Sequence, residues 1–280
     1  MSGTLFLCGT PIGNLGDMTL RTIETLKNCD IIAAEDTRNT LKLLNHFDIQ
    51  TPMTSYHEHN KNAKGPVLIA KLKAGENVAL VTDAGMPGIS DPGADLAREC
   101  IKEGISVTSA PGPTAFATAL VISGMDSRRF VFEGFLPPDK KECAFVLENL
   151  KNESRTEIFY EAPHRLCDTL KTLMKATDDR NAACVREITK KFEEVKKGRL
   201  SELLKFYEQN QPKGEFVIII EGKSIEQLEN EKAAEWKSIT VEEHVAKYML
   251  QGLSEKEAMK LAAKDRGVSK RDIYACIKKD

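Results

Sequence analysis

Short apolar runs alternate with helix-period segments along residues 4–123, the pattern of βαβ units that build a mainly parallel sheet. Residues 4–8, 30–34, 78–82 and 106–109 read as strands, with a weaker one near Met53. Residues 19–27 carry Leu20, Ile23, Thr25 and Leu26 at helical spacing, with Asp17 as a cap. Helices are also expected over residues 40–47, 67–73 and 94–102, the last through Leu96, Ala97, Cys100 and Ile101. The alternation restarts at Arg129. Strands at 130–135, 157–160, 182–188 and 216–220 are interleaved with helices at 140–151, 165–174 and 200–207, which predicts a second α/β domain. Residues 224–238 turn polar and suit a linker or a solvated helix. Three capping-box patterns then open helix-period stretches at Thr240/Glu243, Ser254/Glu257 and Ser269/Asp272, with Gly252 and Gly267 placed to end the preceding helices. The domains expected are 1–115, 116–223, a linker at 224–238 and a helical module at 239–280.

Three strands of the first round end in loops rich in glycine and proline: residues 9–14 (GTPIGN), 83–93 (DAGMPGISDPG) and 111–114 (PGPT). In an open α/β sheet the ligand crevice lies outside the carboxyl ends of the strands, where glycine admits close backbone approach and proline fixes the loop. Three such ends imply one shared pocket for a nucleotide-like ligand.

Composition narrows the class. The 280-residue chain carries a net charge of -2 with 29% charged residues, so it lacks the general basic bias of a dedicated nucleic-acid binder. Any RNA contact must use a local patch, and residues 239–280 are about +2 against -4 for the rest. The seven cysteines are scattered with no C-x-x-C pair, as expected for buried thiols in a reducing cytosol. The amino terminus has no basic n-region and no apolar stretch approaches the ~20 residues that span a bilayer, so a soluble, cytoplasmic protein without membrane contact is expected.

Several motifs have bland readings. Gly9, Gly13 and Gly16 do not keep the dinucleotide spacing, and Pro11 stands where an N–H should meet a pyrophosphate. Gly222-Lys223-Ser224 resembles the end of a phosphate loop, but Val217 replaces its first glycine and no helix signal is seen to follow. His57-Glu58-His59 lacks a nearby third ligand, so no metal is expected. Glu35-Asp36-Thr37-Arg38 ends the second strand and points at the crevice, although Asp36 or Thr37 also suits a helix cap. Residues 160–165 (YEAPHR) and 186–191 (REITKK) repeat this arrangement after two later strands.

Taken together, residues 9–15 (GTPIGNL), 34–38 (AEDTR), 83–85 (DAG), 89–93 (ISDPG), 132–137 (FEGFLP) and His164-Arg165 resemble the tetrapyrrole methylase superfamily, within it the branch acting on small-subunit ribosomal RNA. Residues 252–254 (GLS) and 266–268 (RGV) extend the resemblance to the carboxyl-terminal helices, while Met86 departs from an expected Thr and Thr82 from a common Ser. The resemblance implies two α/β domains with a cofactor cleft between them, plus a small helical module. It implies S-adenosylmethionine as cofactor, touching Pro11, then Gly85, Met86 and Ile89, then Thr114 and Ala115, with Tyr160 and Ile188 closing the site. It further implies methylation of a cytidine ribose 2′-hydroxyl in the decoding centre of 16S rRNA, by a homodimer. Glu35 or Asp36 is the candidate base, with Arg38, Arg165 and Lys190, and the carboxyl-terminal Lys270 and Arg271, gripping RNA. Two alternatives stay open: a methylase of a small metabolite, or a non-catalytic ribosome-binding module.

Overall fold

A computed structural model describes residues 2–277. The chain runs β1 (Thr4–Cys8), α1 (Leu20–Asn28), β2 (Ile31–Ala34), α2 (Thr37–His46), β3 (Met53–Ser55), α3 (Lys61–Lys73), β4 (Val78–Val81), α4 (Gly93–Lys102), β5 (Ser106–Ala110) and α5 (Ala115–Ser123). It continues with β6 (Phe130–Phe135), α6 (Lys140–Leu150), β7 (Thr156–Glu161), α7 (Leu166–Thr177), β8 (Asn181–Arg186), β9 (Glu194–Arg199), α8 (Leu200–Gln209) and β10 (Phe216–Ile220). The helices α9 (Ile225–Ser238), α10 (Val241–Leu250), α11 (Glu255–Asp265) and α12 (Lys270–Ile277) follow.

The first sheet is wholly parallel, in the order β3-β2-β4-β1-β5. Because side chains alternate across a strand, Ile32 and Ala34 with Ala79 and Val81 face Leu26 of α1 and Leu44 of α2. Ala33, Val78 and Leu80 face Leu68 and Leu72 of α3 and Leu96 of α4. Burying each such leucine contributes about 2 kcal/mol. The connection from β1 passes β4 to reach β2 and the connection from β4 passes β1 to reach β5, so they leave these neighbouring strands in opposite directions, through α1 on one face and α4 on the other. That reversal of direction opens the crevice in which α/β folds hold ligands.

The second sheet is mixed, in the order β6-β7-β10-β8-β9, with only the β6–β7 pair parallel. One face packs on α7 and α8 through Leu170, Leu173, Leu200 and Leu203. The other packs Ile158, Ala183, Val217 and Ile219 against Ala119 and Leu120 of α5. Both sheets fall in one compact unit, residues up to Leu150 with Arg155–Glu221.

A second unit comprises Lys151–Ser154 and the chain from Gly222 onward. Residues 224–238, which suit a linker or a solvated helix, form the helix α9, opened by a reciprocal capping box between Ser224 and Gln227 that the sequence reading does not name. The helix therefore does follow Gly222-Lys223-Ser224, and Lys223 is buried in a pair with Glu231. The three predicted capping boxes form, the Ser269/Asp272 one included, and Gly252 and Gly267 take left-handed φ of 91° and 63° after α10 and α11. Two smaller corrections concern caps and edges. Thr19, not Asp17, caps α1, and β9 was not anticipated because its Glu-Val-Lys-Lys-Gly-Arg sequence has no apolar face.

Candidate active site: a cavity where the two sheets' loops meet

The loops after β1 and β4 are joined by backbone: Thr10 N donates to Gly85 O at 2.9 Å and Gly85 N to Thr10 O at 3.1 Å. Gly9 lies directly on Gly112, where a Cβ would come within 2.7 Å of the Gly112 backbone and of the Met86 sulfur. Met86 Sδ in turn accepts the Gly112 N–H at 3.2 Å, so this side chain ties the second loop to the third. Asp91 holds the second loop from within. Its carboxylate accepts the N–H groups of Gly88, Ile89 and Gly93 at 2.7 to 3.1 Å, with Ser90 in the left-handed region at φ 63°.

These loops wall a cavity of about 310 Å³, within the range of small-molecule sites. The other wall comes from the second sheet: Tyr160 and Glu161 at the end of β7, Phe216 and Val217 beginning β10 beside them, and Glu187 and Ile188 after β8. Thr114 makes no side-chain cap for α5; instead the Tyr160 hydroxyl accepts the Phe116 N–H at 3.2 Å, so β7 satisfies an orphan donor of the helix. Phe132 and Phe135 pack edge-on to Tyr160, at 5.0 and 5.7 Å between ring centres. Burial pushes the Tyr160 hydroxyl pKa up, so it stays a neutral phenol.

Charge in the cavity is mostly negative. Glu161, Glu187 and Glu215 line it against the single cation Lys190, which pairs with Glu187 at 3.0 Å. Glu161 is almost fully buried and accepts from Thr169 Oγ1 at 2.5 Å and from Ala162 N at 2.8 Å. Glu187 and Thr189 both have left-handed φ, 52° and 64°, which turns Ile188 into the cavity. Apolar Ile12, Met86, Ile89 and Val217 complete a lining suited to a flat heterocycle bearing a cationic group.

Of the eight residues expected at a cofactor, Gly85, Met86, Ile89, Thr114, Ala115, Tyr160 and Ile188 come together around this cavity. Pro11 does not; it lines a second, more open hollow of about 260 Å³ with Thr10, Gly13, Asn39 and Asp83. Sequence reasoning missed Ile12, Phe135, Glu161 and the 214–217 segment. Ile12, Phe135 and Glu161 lie within motifs noted in the sequence, whereas residues 214–217 join the site only through antiparallel pairing of β10 with β7.

The remaining candidates are dispersed. Glu35 is half-buried and accepts the Asp83 N–H at 3.4 Å; burial raises its pKa, and the nearby Asp83 and Asp91 charges add to the rise. Asp36 caps α2 through the Arg38 N–H and chelates the Arg38 guanidinium, first through that side-chain bond, so its pKa falls to about 2. Arg38 is thus an exposed partner of Asp36. Arg165 donates to Leu136 O at 3.2 Å and lies 3.5 Å from Glu161, bracing the buried carboxylate. Lys190 lines the cavity, and Lys270 and Arg271 are exposed in the first turn of α12, in the second unit. His57 and His59 lie with rings 6.1 Å apart, and no metal-ligating cluster occurs among the described residues.

Residues 4–204 match the tetrapyrrole (corrin/porphyrin) methylase family, which defines the class of the two-sheet fold and its cavity. Two solved structures share that fold: diphthine synthase, TM-score 0.63 at 15% identity over 80% of this chain and 91% of that one, and uroporphyrin-III-C-methyltransferase from Thermus thermophilus, TM-score 0.56 at 19% identity over 78% and 94%. Within the class, the chain belongs to the family of ribosomal RNA small subunit methyltransferase I. Proteins of that name from Bacillus subtilis (strain 168) and Halalkalibacterium halodurans are 48% and 51% identical to it over 272 residues, 97% of this chain and 93% of each relative. The one from Synechocystis is 44% identical over 97% of this chain and 96% of its own.

Proposed function

We propose that the protein methylates the ribose 2′-hydroxyl of a cytidine in the decoding centre of 16S rRNA, with S-adenosylmethionine as donor. The observation that carries the donor is the 310 Å³ cavity, whose apolar walls, loop backbone and three carboxylates match an adenosine joined to a cationic sulfonium amino acid. The relatives' names carry the substrate. When bound, the donor supplies an electrophilic methyl and leaves as a neutral thioether.

The chain's own part is alignment and proton handling. Tyr160 and Met86 fix the loops around the donor. Glu35 takes the 2′-hydroxyl proton as the oxygen forms its bond to the methyl carbon and the carbon–sulfur bond breaks. Burial has raised its proton affinity, whereas Asp36 is committed to capping and to Arg38. Arg38 and Lys190 near the strand ends, with Lys270 and Arg271 of the helical unit, meet phosphates, while Arg165 serves by positioning Glu161. A homodimer accounts for the apolar outer face of α5 and its neighbourhood, where Val121 and Phe130 are exposed. A ribosomal substrate implies a cytoplasmic location.

The test is incubation with labelled S-adenosylmethionine and small ribosomal subunits lacking the modification. Label is expected on a cytidine ribose of 16S rRNA; label on a base, or none on RNA, overturns the proposal.

A further inference from the structure

The second hollow adjoins the main cavity across the Thr10–Gly85 backbone pair. The two share their loops, with Ile12 and Ala84 facing one and Pro11, Gly13 and Asp83 facing the other. Gly13 is the seam. A Cβ there would lie 2.7 Å from Lys190 Cγ and 2.9 Å from Ile188 O, both on residues that line the main cavity. Whatever enters the second hollow therefore sits one loop away from the methyl donor.

The polar groups of this hollow are incompletely used. Asp83 offers a carboxylate acceptor and Asn39 an amide donor, and they meet only at 3.4 Å, the outer limit of a hydrogen bond. An acceptor and a donor side by side are complementary to the Watson–Crick edge of a base. Lys42 at the rim adds a positive charge within reach of a phosphate. The volume of about 260 Å³ is of the order of one nucleoside, which suits a nucleotide extruded from its stack.

We infer that the second hollow receives the nucleotide to be methylated, and that Asp83 and Asn39 read its base. The inference rests on the RNA-methyltransferase reading above and extends it to the recognition of the target. For a cytidine, the N4 amino group donates to Asp83 and N3 accepts from the Asn39 amide. A uridine would instead set its O4 against the Asp83 carboxylate, and Asp83→Asn removes that repulsion by supplying an amide N–H for O4.

The experiment compares kcat/KM on small ribosomal subunits carrying cytidine or uridine at the labelled position, for the wild-type protein, Asp83→Asn and Asn39→Ala, with S-adenosylmethionine binding followed by calorimetry. Wild type is expected to favour cytidine by about 10- to 100-fold. Asp83→Asn should cut that ratio at least about tenfold, mainly through KM, with donor affinity retained. Asn39→Ala, on an exposed helical position, should weaken binding of the cytidine particle and lower the ratio as well. If both variants bind the donor and keep the wild-type ratio, base reading by this hollow is overturned while the methyltransferase reading stands. If the wild-type protein labels no RNA, the methyltransferase reading itself falls, and this inference with it.

Discussion

Glu35 and Asp36 are adjacent in the chain, yet their surroundings drive their carboxyls in opposite directions, up for Glu35 through burial and down to about 2 for Asp36 through Arg38. Divergent proton affinities in neighbouring groups separate roles. A base must be deprotonated to act, so single-turnover methyl transfer should rise as pH increases through a transition shifted upward from the ordinary glutamate value, because burial disfavours the Glu35 carboxylate. Glu35→Gln should abolish that transition and lower the rate by about 10² to 10⁴-fold. Asp36→Asn, which preserves a capping side chain, should change it little. Rapid-quench measurement of labelled product across pH checks this, and a Glu35→Gln rate near wild type removes Glu35 from the chemistry. Sequence placed both carboxylates at a strand end but gave no basis for choosing between them, because the choice depends on Asp83 and Arg38 as neighbours in space. Met86 is a similar case. Its place at the cofactor loop is legible, but the role of its side chain is not, and only the fold brings its sulfur to the Gly112 N–H.

At the level of elements, the carboxyl-terminal helices are organised around a buried histidine. His244 stacks on Trp236 at 3.9 Å and beside Tyr248 at 5.4 Å, with Lys247 over the Trp236 ring. Its Nδ1 accepts from Arg266 Nε at 3.0 Å, while Nε2 lies 3.4 Å from Asp265, which also bonds Tyr248. Burial, then the Arg266 charge, lowers the pKa of His244 despite the opposing Asp265. A histidine that charges more readily unfolded than folded stabilises the native unit above about pH 6.5 and loses that contribution as pH falls toward its lowered folded value. Thermal unfolding of the full chain followed by Trp236 fluorescence should therefore shift to lower temperature between pH 7.5 and pH 5. An unchanged transition, or the same shift in His244→Gln, would remove the histidine as its cause. The three helices after α9 are legible because their capping boxes are local, and α9 itself stays ambiguous between linker and helix in sequence because its Ser224/Gln227 box, the same device, goes unnoticed. Strand β9 was illegible for a different reason. It lies at a sheet edge, so its partner β8 supplies hydrogen bonds without demanding an apolar face.

For the whole molecule, the glycine and proline loops point from sequence to a shared pocket, because loop chemistry at parallel strand ends is a local signal with a known spatial consequence. The second wall is legible only in part, at Tyr160 and Ile188 through the resemblance, because residues 214–217 reach the cavity through antiparallel register and Glu161 is buried beneath α7. Central to the proposed function is one donor site to which both sheets contribute. Amide hydrogen exchange of the full chain with and without S-adenosylmethionine tests this directly. The prediction is slowed exchange together at residues 84–89, 114–116, 187–190 and 214–217, drawn from both sheets; protection confined to one sheet's loops, or absent from all four segments, would contradict it.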